Sequence, residues 1–188
     1  MTRLSSRLLF ASVLTAASVL TPAFAADYVQ ATGSSLTFAS SYEGEVFSGR
    51  FPSFATKLSF DPAKLATSKL DVTIALVGAT TANPERDDTL KGSDFFNVAK
   101  FPQARYTATK FRALGGNKFA ADGVLSLHGV SKPVTLAFTW TPGAKPVLTG
   151  KAIVKRLDFG IGGGDWADTS TLPNDVAVST KVVLQPAR

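Results

Sequence analysis

The sequence predicts an all-β, antiparallel domain of eight or nine strands with one short helix. The first observation behind this is strict alternation. Leu70, Val72, Ile74 and Leu76 share one face, while Lys69, Asp71 and Thr73 share the other. The pattern returns at Val134, Leu136, Phe138 and Trp140, and again at Val176, Val178, Val182 and Leu184. A period of two gives a strand one dry and one wet face. It also selects antiparallel pairing, because parallel strands buried on both faces read as unbroken apolar runs. The second observation is turn chemistry between the runs: Gly115-Gly116-Asn117, His128-Gly129 and Pro142-Gly143. The third is that only one stretch, about 84–92, reads as a helix.

Taken in order, the chain opens with Arg3 and Arg7, an uncharged apolar run from Leu8 to Leu20, Pro22, and Ala23-Phe24-Ala25. A short basic region, a short apolar core and a small-x-small end make a secretory signal peptide, residues 1–25, with cleavage expected between Ala25 and Ala26. The run is too short for the roughly 20 residues that span a bilayer. Residues 26–188 then form one domain. Strands are expected near 34–41, 45–51, 54–60, 68–77, 103–112, 117–127, 132–141, 147–159 and 175–185. Asp61-Pro62-Ala63-Lys64 starts a turn or a single helical turn. The helix is capped by Asn83, starts with Pro84, carries Glu85, Asp87 and Asp88 at its positive end, and stops at Gly92. Periodicity alone leaves a sandwich and a closed barrel both open. Gly123 and Gly150 inside strands favour the curvature of a barrel.

Composition removes several functions. There is no Cys and only one His, His128, which excludes Cys-based catalysis and the common zinc sites, and no metal site is expected. Without Arg3 and Arg7 the formal charge of +6 falls to +4, and the basic residues are scattered. A nucleic-acid footprint needs clustering, so no nucleic-acid partner is expected. No nucleophile–base pair and no G-x-S-x-G elbow occurs, so no catalytic residue is assigned and the protein is read as a non-enzyme. Gly160-Ile161-Gly162-Gly163-Gly164 lacks the strand-to-helix setting of a nucleotide fingerprint and reads as a rim loop. Asp158, Asp165 and Asp168 read as turn residues, and His128 as a turn or hydrogen-bonding residue.

Four stretches together resemble one family. They are Gly49-Arg50-Phe51 with Leu58-Ser59-Phe60-Asp61-Pro62; Asn83-Pro84-Glu85-Arg86-Asp87 with Ser93-Asp94-Phe95-Phe96 and Phe101-Pro102; Leu125 to Val134; and Arg156-Leu157-Asp158-Phe159-Gly160-Ile161. In this order and spacing they resemble the YceI-like family over about residues 34–185. The resemblance implies a lipocalin-like extended β-barrel of about eight strands with an apolar tunnel. It also implies a periplasmic protein binding a polyisoprenoid, an isoprenoid quinone or a fatty amide, with no cofactor other than that ligand. Thr80 and Thr89 depart from the family pattern, which often has Asp and His there. Asp165-Trp166-Ala167-Asp168-Thr169 resembles a subgroup found beside b-type cytochromes. The partners this leaves open are a membrane, a b-type cytochrome and a second copy of the chain.

Fourteen Phe against three Tyr and two Trp is a phenyl-rich balance, suited to burying large area with no polar atom to satisfy. Most of the Phe serve as core, and Phe51, Phe54, Phe95, Phe96, Phe138 and Phe159 are expected to wall a tunnel. The helix with Arg86, Asp87 and Leu90 is expected to cover one mouth, closed by Phe95 and Phe96, with Arg86 near a polar headgroup and Trp166 at the rim. The main reading is a carrier for a long apolar lipid. The alternatives are an accessory subunit of a b-type cytochrome or envelope-stress system without a transport role, and a carboxylate-using hydrolase.

Overall fold

The computed structural model describes residues 26–187. The expected signal segment and its cleavage point lie outside them, apart from Ala26. Ten strands form: β1 Ala26–Gln30, β2 Ser35–Tyr42, β3 Glu45–Arg50, β4 Phe54–Phe60, β5 Lys69–Ala75, β6 Gln103–Gly115, β7 Lys118–Leu127, β8 Val130–Thr141, β9 Val147–Lys155 and β10 Asp175–Pro186. All pairings are antiparallel. Eight of the strands close a ring in the order β1-β4-β5-β6-β7-β8-β9-β10, sealed by β1 against β10. The barrel alternative is therefore the observed one.

The seal depends on β10 serving two partners along one edge. Its end, Leu184 to Pro186, pairs with β1, and its first half, Ala177 to Lys181, pairs with β2. The β2–β3 hairpin extends the wall at one end. Its tip, Glu43-Gly44, has φ of 50° and 84°, the doubly positive turn that suits the twist of a two-residue hairpin. Arg50 and Thr80 exchange backbone hydrogen bonds of 2.8 and 3.1 Å, tying β3 to the segment that leads into the helix. The helix α1, Pro84–Lys91, is built as its residues dictate: the Asn83 side chain accepts from the Arg86 N–H at 3.0 Å, and the Gly92 N–H closes the other end.

Two expectations are corrected. β1 is absent from the expected strands; Ala-Asp-Tyr-Val-Gln is too short for a convincing alternation. The strand expected over 147–159 stops at Lys155, and Arg156–Phe159 is a 3-10 turn ended by Gly160 at φ 68°. As expected, Asp61-Pro62-Ala63-Lys64 makes a turn, the Lys64 N–H donating to the Asp61 carbonyl at 2.9 Å, and a 3-10 turn follows at Leu65–Thr67.

Alternation places the core. The dry faces point inward, and the outward faces carry charged ladders such as Asp71–Arg105 and Asp122–Arg112. Such exposed pairs stabilise little, about 0–1 kcal/mol each. Their role is to keep the outer face wet. Among the described residues no helix is long and apolar enough to cross a membrane.

Candidate functional site

The barrel interior divides into a hollow and a floor. The hollow has a cavity volume of about 190 Å³ and opens to solvent at one end. The alternating stripe of β5 supplies Leu70, Val72 and Ile74 to its wall, and Leu76, just past the strand's end, continues it. β10 supplies Val176, Val178 and Val182, and β2 supplies Leu36 and Phe38. The stripe of β8 splits: Val134 and Leu136 line the hollow, whereas Phe138 and Trp140 do not. They join the floor instead.

That floor is aromatic. Phe60, 2 % exposed, packs against Phe111, Phe119, Phe138 and Trp140 with ring centroids 5.0–5.9 Å apart. Phe119 stacks on Phe138 at 5.6 Å, and Tyr28 meets Trp140 at 5.7 Å. These rings come from β1, β4, β6, β7 and β8 and fill one end of the barrel. The other end opens between the β2–β3 hairpin, α1 and the 160–172 segment.

At the mouth a second, more open space shares Phe47, Leu90, Phe95 and Leu172 with the hollow and adds Tyr42, Arg86, Thr89 and Trp166. Trp166 lies 5.3 Å from Phe95 and 6.1 Å from Tyr42. The Arg86 guanidinium sits 4.5 Å over the Phe47 ring. A cation held on a ring face keeps its edge donors free in plane, so Arg86 presents charge and donors at an opening where aromatic rings meet the polar side chains of Asn83, Glu85 and Thr89.

The residues singled out from sequence fall into three groups. Phe51, Phe54, Leu90, Phe95 and Phe96 stand on the wall of the hollow. Arg86 and Trp166 stand at the mouth. Phe138, Phe159 and Asp87 line neither. Phe138 belongs to the floor. Phe159 is 1 % exposed beneath the rim loop, and its carbonyl accepts from His128 Nδ1 at 3.0 Å. Asp87 is a brace: its carboxylate accepts from Thr80 Oγ1 at 2.6 Å, Thr81 N at 2.6 Å and Thr81 Oγ1 at 2.7 Å. Burial pushes this carboxyl up, but the bonds from Thr80 and Thr81 outweigh it and hold it below the ordinary carboxylate range. Thr80 is thus occupied with Asp87, while the Thr89 hydroxyl donates to the Glu85 carbonyl at 3.0 Å.

Sequence reasoning gave Arg156 no role. It is 3 % exposed, touches the hollow, and has no carboxylate partner among the described residues. Its five N–H groups go to five carbonyls: Nε to Pro173 at 3.1 Å, Nη1 to Ile161 at 3.1 Å and to Gly162, and Nη2 to Trp166 and Leu172 at 2.7 Å each. Burial lowers the affinity of this guanidinium for its proton. One side chain therefore holds the whole rim segment from Ile161 to Pro173. Only its inclusion in a family-like stretch hinted at this, because an Arg closing a strand otherwise reads as solvated.

The family model for the YceI-like domain matches residues 28–184, which takes in the ring, the hollow and the mouth. The chain belongs to the YceI-like family. A UPF0312 protein of Shewanella denitrificans is 40 % identical over 165 residues, covering 81 % of this chain and 86 % of that one. A UPF0312 protein of Pseudomonas savastanoi pv. phaseolicola is 31 % identical, covering 82 % and 86 %. Among solved structures, BcnA of Burkholderia cenocepacia superposes with a TM-score of 0.76 at 29 % identity, over 80 % of this chain and 95 % of BcnA. The YceI protein of Campylobacter jejuni gives 0.64 at 28 % identity, over 74 % and 84 %. A polyisoprenoid-binding domain from Saccharophagus degradans shares the fold at 16 % identity, with a TM-score of 0.67, over 88 % and 100 %.

Proposed function

We propose that this YceI-like protein is a periplasmic carrier that holds the hydrocarbon tail of a long-chain lipid, an isoprenoid, an isoprenoid quinone or a fatty amide, in its barrel and performs no covalent chemistry. The observation that carries the reading is the hollow itself: an open, carbon-walled space lined by Leu, Val, Ile and Phe. Burying apolar carbon is worth about 0.8 kcal/mol per CH₂ relative to water. Relative to a membrane the gain is far smaller, so such a protein exchanges its lipid rather than sequestering it irreversibly. The Saccharophagus degradans domain of the same fold is described as polyisoprenoid-binding, which supports the ligand class. The basic, apolar and small-x-small order of residues 1–25 supports export.

Arg86, backed by Phe47, is the group we assign to the polar end of the lipid at the mouth. The tail then points down toward the aromatic floor. The test is organic extraction of the protein purified from its own host envelope, followed by mass spectrometry. A single lipid class in near-stoichiometric amount is expected. A lipid-free extract, with no uptake of added ubiquinone or polyprenyl phosphate, would overturn the reading.

A further inference from the structure

We infer that the outward face of β9, β10, β2 and β3 is a docking surface for a membrane that carries anionic headgroups. Docking of this kind lies outside the carrier reading and needs no lipid in the hollow.

Register builds the face. Ile153 pairs with Ala177, Ala177 with Ala39, and Ala39 with Ser48, so one outward row crosses four strands. At about 4.8 Å per strand the row spans about 14 Å. Toward the mouth the next outward positions are Lys155 on β9 and Val46 on β3. Toward the floor the next row runs from Lys151 through Ser179 and Thr37 to Arg50. Val46 is 82 % exposed and Ile153 is 55 % exposed. The side chains between them are short, so the two aliphatic groups stand above the sheet. Exposed apolar groups joined into a patch and rimmed by polar ones mark a surface that meets something else.

Charge decides what that is. The face carries Arg50, Lys151, Lys155 and Lys181 against one carboxylate, Asp175, which already lies 3.7 Å from Lys155. Arg50, Lys151 and Lys181 have no ion-pair partner among the described residues. A second copy offering the same face would set these cations against themselves, which disfavours a contact between copies. An anionic membrane complements them. Lys and Arg lay their carbon stems along the surface and send their heads to the phosphates, while Val46 and Ile153 enter the headgroup layer. Glu43 and Glu45 stand at the tip of the β2–β3 hairpin. They keep the tip in water, so contact is flat along the strands. The same hairpin contributes Tyr42 and Phe47 to the mouth, which docking therefore brings beside the headgroups.

The test is cosedimentation of the mature protein, residues 26–188, with vesicles of phosphatidylcholine and phosphatidylglycerol, and with vesicles of phosphatidylcholine alone. Binding to the anionic vesicles only is expected, and about 0.5 M salt should weaken it tenfold or more. Val46→Asp and Ile153→Asp should each weaken it about tenfold, and Lys151→Glu about fivefold. These positions are exposed, so the variants should keep the thermal midpoint of the unsubstituted protein. Val124→Asp, on the outside of β7 across the ring, should bind as the unsubstituted protein does. The chain has no cysteine, so Ser48→Cys takes a single environment-sensitive dye. Its emission should shift to the blue on anionic vesicles, and that of dye on Val124→Cys should not. No retention by anionic vesicles, or retention that the Val46 and Ile153 variants leave unchanged, overturns the docking face. Self-association that Ile153→Asp abolishes, without vesicle binding, would make the face a contact between copies and overturns it equally. None of these outcomes alters what organic extraction recovers from the barrel, so the carrier reading stands or falls separately.

Discussion

The Tyr106 ring lies across Gly123, so close that a Cβ on Gly123 would stand 2.6 Å from the phenol Cζ. The missing side chain is what lets a tyrosine from β6 lie flat over β7 and reach two carbonyls, Ala121 at 2.8 Å and Val134 at 3.0 Å. The extra residue in β6, between Ala108 and Lys110, falls beside the same glycine and bends the sheet there. Gly123→Ala should therefore displace the ring and cost about 1–3 kcal/mol, as overpacked sites do. Tyr106→Phe should cost about 1 kcal/mol by deleting the hydroxyl bonds alone. Denaturant midpoints of the two variants check the order.

Burial also pushes the Tyr106 phenol up to about 12, from an ordinary value of 10.0. The folded state then keeps a proton that the unfolded chain has lost. This contribution is whole below about pH 10 and disappears as pH rises toward 12. Thermal midpoints taken across that range should fall more steeply for the unsubstituted protein than for Tyr106→Phe.

Arg156 predicts a different failure. Removing it leaves carbonyls of Ile161, Gly162, Trp166, Leu172 and Pro173 short of a donor at one stroke. Arg156→Met should cost about 2–4 kcal/mol. Arg156→Lys should recover only part of this, since an ammonium cannot offer five donors in a fixed fork. Hydrogen exchange should quicken across 161–173 in both variants and stay slow in β5 and β6.

For Asp87 the pH dependence has the opposite sign. Its carboxyl is held below the ordinary value, so its contribution is present above about pH 4 and is lost as pH falls through the folded value. Asp87→Asn should lower the thermal midpoint at neutral pH. The gap between the two proteins should close in acid. Equal midpoints at neutral pH would remove Asp87 as a brace for α1.

Much of this architecture is legible from residue order. The stripes of β5, β8 and β10 announce their dry faces, and Asn83, Pro84 and Gly92 announce α1. Alternation reports which side of a strand is dry but not what lies opposite. It therefore could not tell Leu136, which faces empty space, from Phe138, which faces Phe60. The change from aliphatic to aromatic along β8 is the one local trace of the floor. Gly123 and Gly150 favour a closed ring, but the strand that seals it has no signature: β1 is five residues with no pattern of their own, and it pairs with the end of β10. Phe159 is expected at the ligand as one of the large apolar side chains, and Asp87 as part of the first turn of the covering helix. Their side chains turn instead toward Thr80 and Thr81 and into the packing beneath the rim.

At the mouth, Arg86→Met should weaken binding of a lipid carrying a phosphate or carboxylate end more than binding of the neutral alcohol of the same chain. A difference of about five- to tenfold corresponds to one charge-assisted contact at a half-open site. Equal losses for both ligands would make Arg86 a packing residue over Phe47 and nothing more.

The chain has three isoleucines: Ile74 and Ile161 face the hollow, and Ile153 is 55 % exposed on the outside of β9. Methyl NMR of isoleucine-labelled protein, titrated with a three-unit isoprenoid alcohol, reads all three positions at once. Saturable shifts at Ile74 and Ile161 with Ile153 unmoved are the expected result. Movement of Ile153 alone, or none at any of the three, would contradict the claim that the barrel interior is where the lipid resides.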